Sequence, residues 1–261
     1  MGIRRYTANA DNTITDAFEL NLSTRGTGSN MGRADILEVF HIFGQESSTS
    51  QELSRAILDF PISTISTDRT NGDVPASGSV SFFLRVFNAP HASTIPRDAT
   101  YSVMPVSQSW QEGYGMDMEN YSDLTYDQTG SNWINAGSGS VWTTAGGDFI
   151  DQKKNENVFD VAMEAGNEDI DLDITPLVED WITGSAGGGI DNYGIVIRLT
   201  ASMETSGVTE YTKKFFARSS QYFLKRPVIE ARWDSSKIDD RGNFYYSSSV
   251  APAADNLNTL Y

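Results

Sequence analysis

Asp173-Ile-Thr-Pro-Leu-Val-Glu-Asp-Trp181, followed by Gly184 and then by Asp191-Asn-Tyr-Gly-Ile-Val-Ile-Arg198, decides how this chain reads. Thr175 suits an N-cap and Pro176 the first helical position, where a missing N–H costs nothing. Leu177, Val178 and Trp181 give the resulting short helix, about residues 176–182, one face to bury. Asn192-Tyr193-Gly194 then turns the chain into Ile195-Val196-Ile197, a strand too apolar to be anything but buried.

Outward from this stretch, helical periodicity nearly vanishes. Short β-branched and aromatic runs alternate with Gly, Ser, Asn and Asp clusters, the pattern of an all-β protein. Strands are expected at Ile36–Phe43, Ser54–Phe60, Gly78–Phe87, Tyr101–Ser107, Val158–Met163, Ile170–Ile174, Lys213–Arg218 and Arg226–Trp233. With 195–198 that is about nine, enough for two packed antiparallel sheets. Pro105 denies a ladder donor and suggests an edge or a bulge. Thr24–Asn30 and Asp68–Asp73 carry turn chemistry. Gln111–Gly147 is long enough to pack on itself or to bind something. After Trp233 the periodicity fades. Residues 1–234 therefore read as the sandwich, and 235–261 as a C-terminal arm, or the start of a linker, that orders on docking.

The 261 residues carry 35 acidic and 19 basic side chains, a formal net charge of −16. That balance opposes nucleic acid, whose affinity comes mainly from Lys and Arg neutralising phosphates. No stretch approaches the length of a membrane helix, so no membrane partner is expected. With no cysteine, disulfides, thiolate metal sites and cysteine nucleophiles are excluded. The N-terminus lacks an apolar signal core, so a secretory signal is absent or has been removed.

His41 alternates with apolar neighbours and reads as a strand residue satisfied locally. His91 follows Pro90 in a loop with no evident partner. Neither a Gly-x-Ser-x-Gly elbow nor a phosphate loop occurs, so no catalytic residue is assigned and no enzyme is expected. Asp169, Asp171 and Asp173 fall on one face of a strand, with Ile170, Leu172 and Ile174 on the other. They form either a solvated outer face or a site for Ca²⁺; no other cofactor is expected. Trp110, Tyr114, Trp133 and Trp142 either close the ends of the sandwich or present a platform for a sugar face. Trp181 and Trp233 read as core. Phe244, Tyr245, Tyr246, Leu257, Leu260 and Tyr261 are apolar residues in an arm without a core of its own, and are expected to meet a partner.

The ordered segments Asn30-Met-Gly32, Ser54-Arg-Ala-Ile-Leu-Asp-Phe60, Val80-Ser-Phe-Phe-Leu-Arg-Val86, Ser109-Trp-Gln-Glu112, Leu172–Trp181, Asn192–Arg198, Phe216-Ala-Arg-Ser-Ser220 and Arg226-Pro-Val-Ile-Glu230 resemble the DNRLRE jelly-roll domains. Those are related to certain carbohydrate-binding modules of bacterial and archaeal surface proteins. The resemblance covers roughly residues 6–233 and implies an antiparallel jelly-roll β-sandwich with one short helix. The start Met1–Phe18, with Lys237–Tyr246 and Ala253–Tyr261, is similar to tailed-phage virion proteins of this type. It implies a structural protein of the virion, assembled in the host cytoplasm: a head decoration, a neck or head fibre, or a tail appendage. Its partners would be other virion proteins and further copies in a symmetric assembly. The alternative is a carbohydrate-binding module for a cell-surface polysaccharide such as a host glycan. Fold alone does not choose between them.

Overall fold

The computed structural model describes the chain except residues 20, 44–50, 93, 117–129, 151–156, 240–257 and 261; for 237–239 and 258–260 it describes the backbone. The elements, in order, are β1 (Gly2–Thr7), β2 (Ala10–Thr15), β3 (Ile36–Ile42), β4 (Glu52–Asp59), α1 (Ile62–Asn71), β5 (Ser81–Val86), β6 (Ala99–Pro105), β7 (Asn135–Gly137), β8 (Ser140–Val141), β9 (Phe159–Met163), β10 (Ile170–Asp173), α2 (Thr175–Thr183), β11 (Ile195–Leu199), α3 (Ala201–Glu204), β12 (Glu210–Phe216), β13 (Val228–Trp233), β14 (Lys237–Asp239) and β15 (Asn258–Leu260).

The pairing is that of a jelly roll. β3 pairs with β12, β4 with β11, β5 with β10 and β6 with β9, all antiparallel. These nested pairs are one long two-stranded ribbon. Rolled up, it gives a four-stranded sheet, β1-β13-β5-β10, and a larger one, β12-β3-β4-β11-β6-β9, with β2 added beside β4. The sheets meet at a corner: the residues following β5 take up the edge of β12, through Ala89 N–H to Lys214 O at 2.9 Å and Phe216 N–H to Phe87 O at 3.0 Å. All nine expected strands are present. β1, β2 and the short pairs β7–β8 and β14–β15 are additional. The last of these shows that part of the arm carries strand structure, with Lys237 opposite Leu260.

Alternation along the strands places two cores on opposite faces of the larger sheet. Ala56, Leu58, Tyr101, Val103, Ile195, Ile197, Leu199 and Phe215 point between the sheets, against Phe82, Leu84 and Ile229. Ile57, Met104 and Val196 point the other way and are covered by Trp133, Trp142 and Ala136. A sheet dry on both sides needs apolar residues at consecutive positions, which is why Ile195-Val196-Ile197 has no polar member.

α2 buries Leu177, Val178 and Trp181 as its sequence predicts. Its cap differs. The boundary residue is Ile174, no side chain caps the helix, and Thr175 Oγ1 instead accepts the Phe82 N–H at 2.8 Å. Asp173 takes over the terminus, accepting the Thr175 N–H and hydroxyl at 2.9 and 2.6 Å. Two further helices join it. α1 was hidden because its Ser/Thr-rich sequence has little helical preference. Buried Ile62 and Ile65 hold it down, and Gly72 ends it at φ +81°. Asp68–Asn71, read as a turn, is its last turn. Pro105 occupies neither an outer strand nor a bulge: it is the final residue of an interior strand, and β9 stops pairing at Val103, so the missing donor falls past the ladder. Trp233 is half-buried against the core rather than within it.

Gly194 is the tightest turn position. Its φ is +82°, and an added Cβ would overlap the Leu58 carbonyl. Asn192 fixes the turn by donating to Asp59 Oδ1 (3.1 Å) and Phe60 O (3.0 Å) and accepting the Gly194 N–H (3.0 Å). Gly194→Ala is expected to cost at least about 2 kcal/mol, from backbone strain plus the clash. Gly72→Ala, at a similar φ but with nothing within 4 Å of its Cβ, should cost only about 1 kcal/mol. Urea unfolding midpoints of the two variants check the difference.

Candidate functional site

The structure separates the sugar-platform residues. Trp133 and Trp142 are 7% and 4% exposed and form the lid over the outer face of the larger sheet. The Trp142 indole N–H donates to Asn132 O at 2.8 Å. Trp110 is half-buried and donates to Tyr193 O at 2.9 Å. Tyr114 alone is open, at 62% exposure, with the Arg33 guanidinium 4.9 Å from its ring centre. Of the two readings of these rings, closure is the one seen for three: Trp133 and Trp142 lie in the second core and Trp110 packs against it, so the four form no shared platform.

The three aspartates are likewise dispersed onto different neighbours. Asp169 accepts the Asn88 N–H at 2.7 Å, Asp171 pairs with Arg232 at 3.0 Å and Arg85 at 3.5 Å, and Asp173 holds the start of α2. Among the described residues no group of three or more His, Cys, Asp or Glu side chains could hold a metal. His41 is fully buried, its Nδ1 against Val208 O at 3.0 Å. His91, read as partnerless, meets Asn88 Oδ1 at 2.7 Å. Of the arm residues, Phe244, Tyr245, Tyr246, Leu257 and Tyr261 lie outside the described residues.

Sequence reasoning missed two buried polar centres. Asn30 is the hub of the first. Its amide donates to Glu112 O (2.7 Å) and Ser131 O (2.8 Å), and its oxygen accepts the N–H groups of Gly32 (3.1 Å) and Gly115 (2.9 Å). All four valences are used. Beside it Arg218 forms a two-bond pair with Glu112, at 2.9 and 2.6 Å, and its backbone N–H donates to Asp11. Burial pushes the Asp11 carboxyl up to about 7. Three of the quoted segments, those of Asn30, Glu112 and Arg218, meet here, and their work is to staple loops.

The second centre lies under the lid. Arg55 grips both oxygens of Glu204, at 3.0 and 2.8 Å, and donates to Gly146 O at 2.7 Å; Arg198 pairs with the same carboxylate. The Arg55 guanidinium lies 5.0 Å from the Trp133 ring centre and 5.2 Å from that of Phe149. Lys213, also buried, has only neutral acceptors within hydrogen-bond reach, Asn88 Oδ1 (2.7 Å), Gly166 O (3.0 Å) and Glu168 O (2.8 Å). Burial lowers its pKa to about 8.

Beside these centres the surface carries a knob and a pocket. Tyr222, Phe223 and Leu224 are 56%, 67% and 71% exposed on a short 3₁₀ turn. They form a shaped knob. Tyr222 stands edge-on to Phe216 with centroids 5.3 Å apart, Arg226 lies over Phe223 at 5.4 Å, and Arg226 Nε donates to Ser220 O at 2.9 Å. The second feature is a pocket of about 470 Å³ where α1, α2 and the Asn192 turn converge, lined by Asn9, Asp59, Ser63, Ser66, Trp181 and Asn192. Burial raises the Asp59 pKa.

Glu204→Gln leaves two guanidinium groups in a dry site without a carboxylate and should cost about 3–5 kcal/mol by chemical denaturation. Asp11 binds its proton more tightly in the folded than in the unfolded chain, where its pKa is near 3.8. Its contribution to stability therefore falls as pH rises from about 4 to about 7. Asp11→Asn should remove that slope, so the stability difference between variant and parent, measured against pH, should tilt towards the variant across this window.

No family model matches the chain, and no match was found among the curated proteins.

Proposed function

We propose that this chain is a non-enzymatic structural domain that acts through protein–protein contacts. Given the sequence resemblance to phage proteins, the assembly would be a tailed-phage virion put together in the host cytoplasm, with the domain serving as a head decoration, a fibre or a tail appendage. The observation that carries the reading is the Tyr222–Phe223–Leu224 knob. Three consecutive large apolar side chains held in shape at the surface contribute little to the fold, and such a patch has value when another surface covers it. The adjoining Lys225 and Arg226 have no carboxylate partner among the described residues, so the knob carries uncompensated positive charge on an acidic protein. Phe223→Ser/Leu224→Ser should keep the unfolding midpoint and reduce incorporation into assembled particles, scored by co-sedimentation and electron microscopy. Normal incorporation would contradict the reading.

The pocket at Asp59 supports the second reading, a polysaccharide-binding module. A carboxylate, the Asn9 amide and two serine hydroxyls around a half-open cavity suit a ring bearing several hydroxyl groups. Affinity electrophoresis in polysaccharide gels tests it: Ser66→Trp, which fills the mouth of the pocket, should abolish a retardation that the parent shows.

A further inference from the structure

The four-stranded sheet ends in an apolar hole. Where β13 finishes, Met1, Val80, Phe83 and Trp233 line a depression of about 770 Å³, together with Ser79, Ser81, Arg232 and Asp234. The Arg232 guanidinium lies over the Phe83 ring, 3.9 Å from its centre, and is already paired with Glu230 and Asp171. Asp234 is exposed and forms no salt bridge with a Lys or Arg among the described residues; its carboxylate accepts the Ser236 N–H at 2.8 Å.

The knob sits at the opposite end of the same strand. Tyr222–Leu224 precede Val228, where β13 begins, and the hole adjoins Trp233, where it ends. At about 3.3 Å per residue, six strand residues separate the two by roughly 20 Å. A molecule therefore cannot place its own knob in its own hole. We propose that the knob of one copy seats in the hole of the next, so that copies of this chain associate head to tail along the direction of β13.

Shape and charge agree. The knob offers an aromatic and an aliphatic side chain, and Met1, Val80, Phe83 and Trp233 give the hole apolar walls between its polar residues. Lys225 and Arg226 beside the knob would meet Asp234 in the hole. Of the five cations between residues 211 and 229, Lys213 is buried, Lys214 pairs with Glu38 and Arg218 with Glu112, which leaves Lys225 and Arg226 beside the knob. In a chain of net charge −16, random encounters between copies are repelled. Two cations, Lys225 and Arg226, beside an apolar tip oppose that repulsion at one orientation. Because knob and hole are different surfaces, the contact is heterologous and builds a closed ring or a filament rather than a two-fold dimer.

This inference rests on the assembly reading and names one partner for it, a second copy. The absence of cysteine makes the test direct. Phe223→Cys and Ser81→Cys variants of the full chain, mixed and mildly oxidised, should give a disulfide-linked dimer that neither variant gives alone. Leu224→Asp should weaken self-association, measured by sedimentation, about tenfold or more. A knob-to-knob crosslink of Phe223→Cys with itself would overturn the proposal. So would a parent that stays monomeric at its highest soluble concentration. Shielding of the introduced thiol from alkylation in a monomeric Ser81→Cys variant would overturn it too, because the chain's own C-terminal residues would then fill the hole. Incorporation into particles by a monomeric protein would remove the copy-to-copy contact and leave the assembly function standing, so the two failures are distinguishable.

Discussion

A sheet that must be dry on both faces governs this structure. The larger sheet is closed on one side by its partner sheet, the ordinary condition of a sandwich. Its other face carries Ile57, Met104 and Val196, and apolar groups there cost roughly 25 cal/mol for every Å² left in water. The long connection between β6 and β9 answers that cost by folding back and laying Trp133 and Trp142 across the face. The tryptophans are thereby committed to folding. The same lid takes two arginines out of solvent, Arg55 on β4 and Arg198 on β11, because strand alternation points them to that face. Two desolvated cations need an anion, and Glu204, delivered by the four-residue α3, supplies it. One constraint thus accounts for the lid, the buried ion cluster and the loss of a ring platform.

The N-terminal strands show how polar residues can build an interior. Asp11, Asn12, Thr13 and Thr15 of β2 are all buried, and each makes a specific bond. Asp11 accepts the Arg218 N–H. Asn12 donates to Ser131 O at 2.9 Å and accepts from Met31 N–H at 2.8 Å; Thr13 Oγ1 accepts the Glu38 N–H at 3.1 Å; Thr15 donates to Leu53 O at 2.7 Å. Together with Asn30 and the Arg218–Glu112 pair, they tie separate segments into one end of the sandwich. Such a network defines a unique arrangement because every member has a fixed partner. Apolar surface stays exposed elsewhere, as a knob before the start of β13 and as a hole where that strand finishes.

The sequence was legible where a single segment carried its own signal. Alternation marked nine strands, and Leu177, Val178 and Trp181 marked the buried face of α2. Asn192-Tyr193-Gly194 marked a turn whose glycine has both a positive φ and no room for a Cβ. It was opaque where the signal lay in a distant partner. β2 reads as polar chain because its satisfaction comes from residues 31, 38, 53 and 131. α1 reads as turn because its Ser and Thr residues are poor helix formers and only Ile62 and Ile65 hold it against the core. Asp169, Asp171 and Asp173 look like a shared site along the strand, yet Asn88, Arg232 and Thr175 each claim one. The hubs Asn30, Glu112 and Arg218 stood in quoted segments without any indication that those segments touch.

By itself the sequence determined the class: period-two alternation, turn residues between the runs and one amphipathic helix leave an antiparallel β-sandwich as the way to bury these side chains. The net charge and the missing cysteines are also properties of composition that no folding can alter. Tertiary structure alone decided which aromatics face water and which carboxylates stand free. Periodicity tells which side a residue takes, but not whether that side is later covered by a segment far along the chain. The knob and the hole belong to that second category: their residues resemble any other apolar run until the fold leaves them uncovered at opposite ends of one strand.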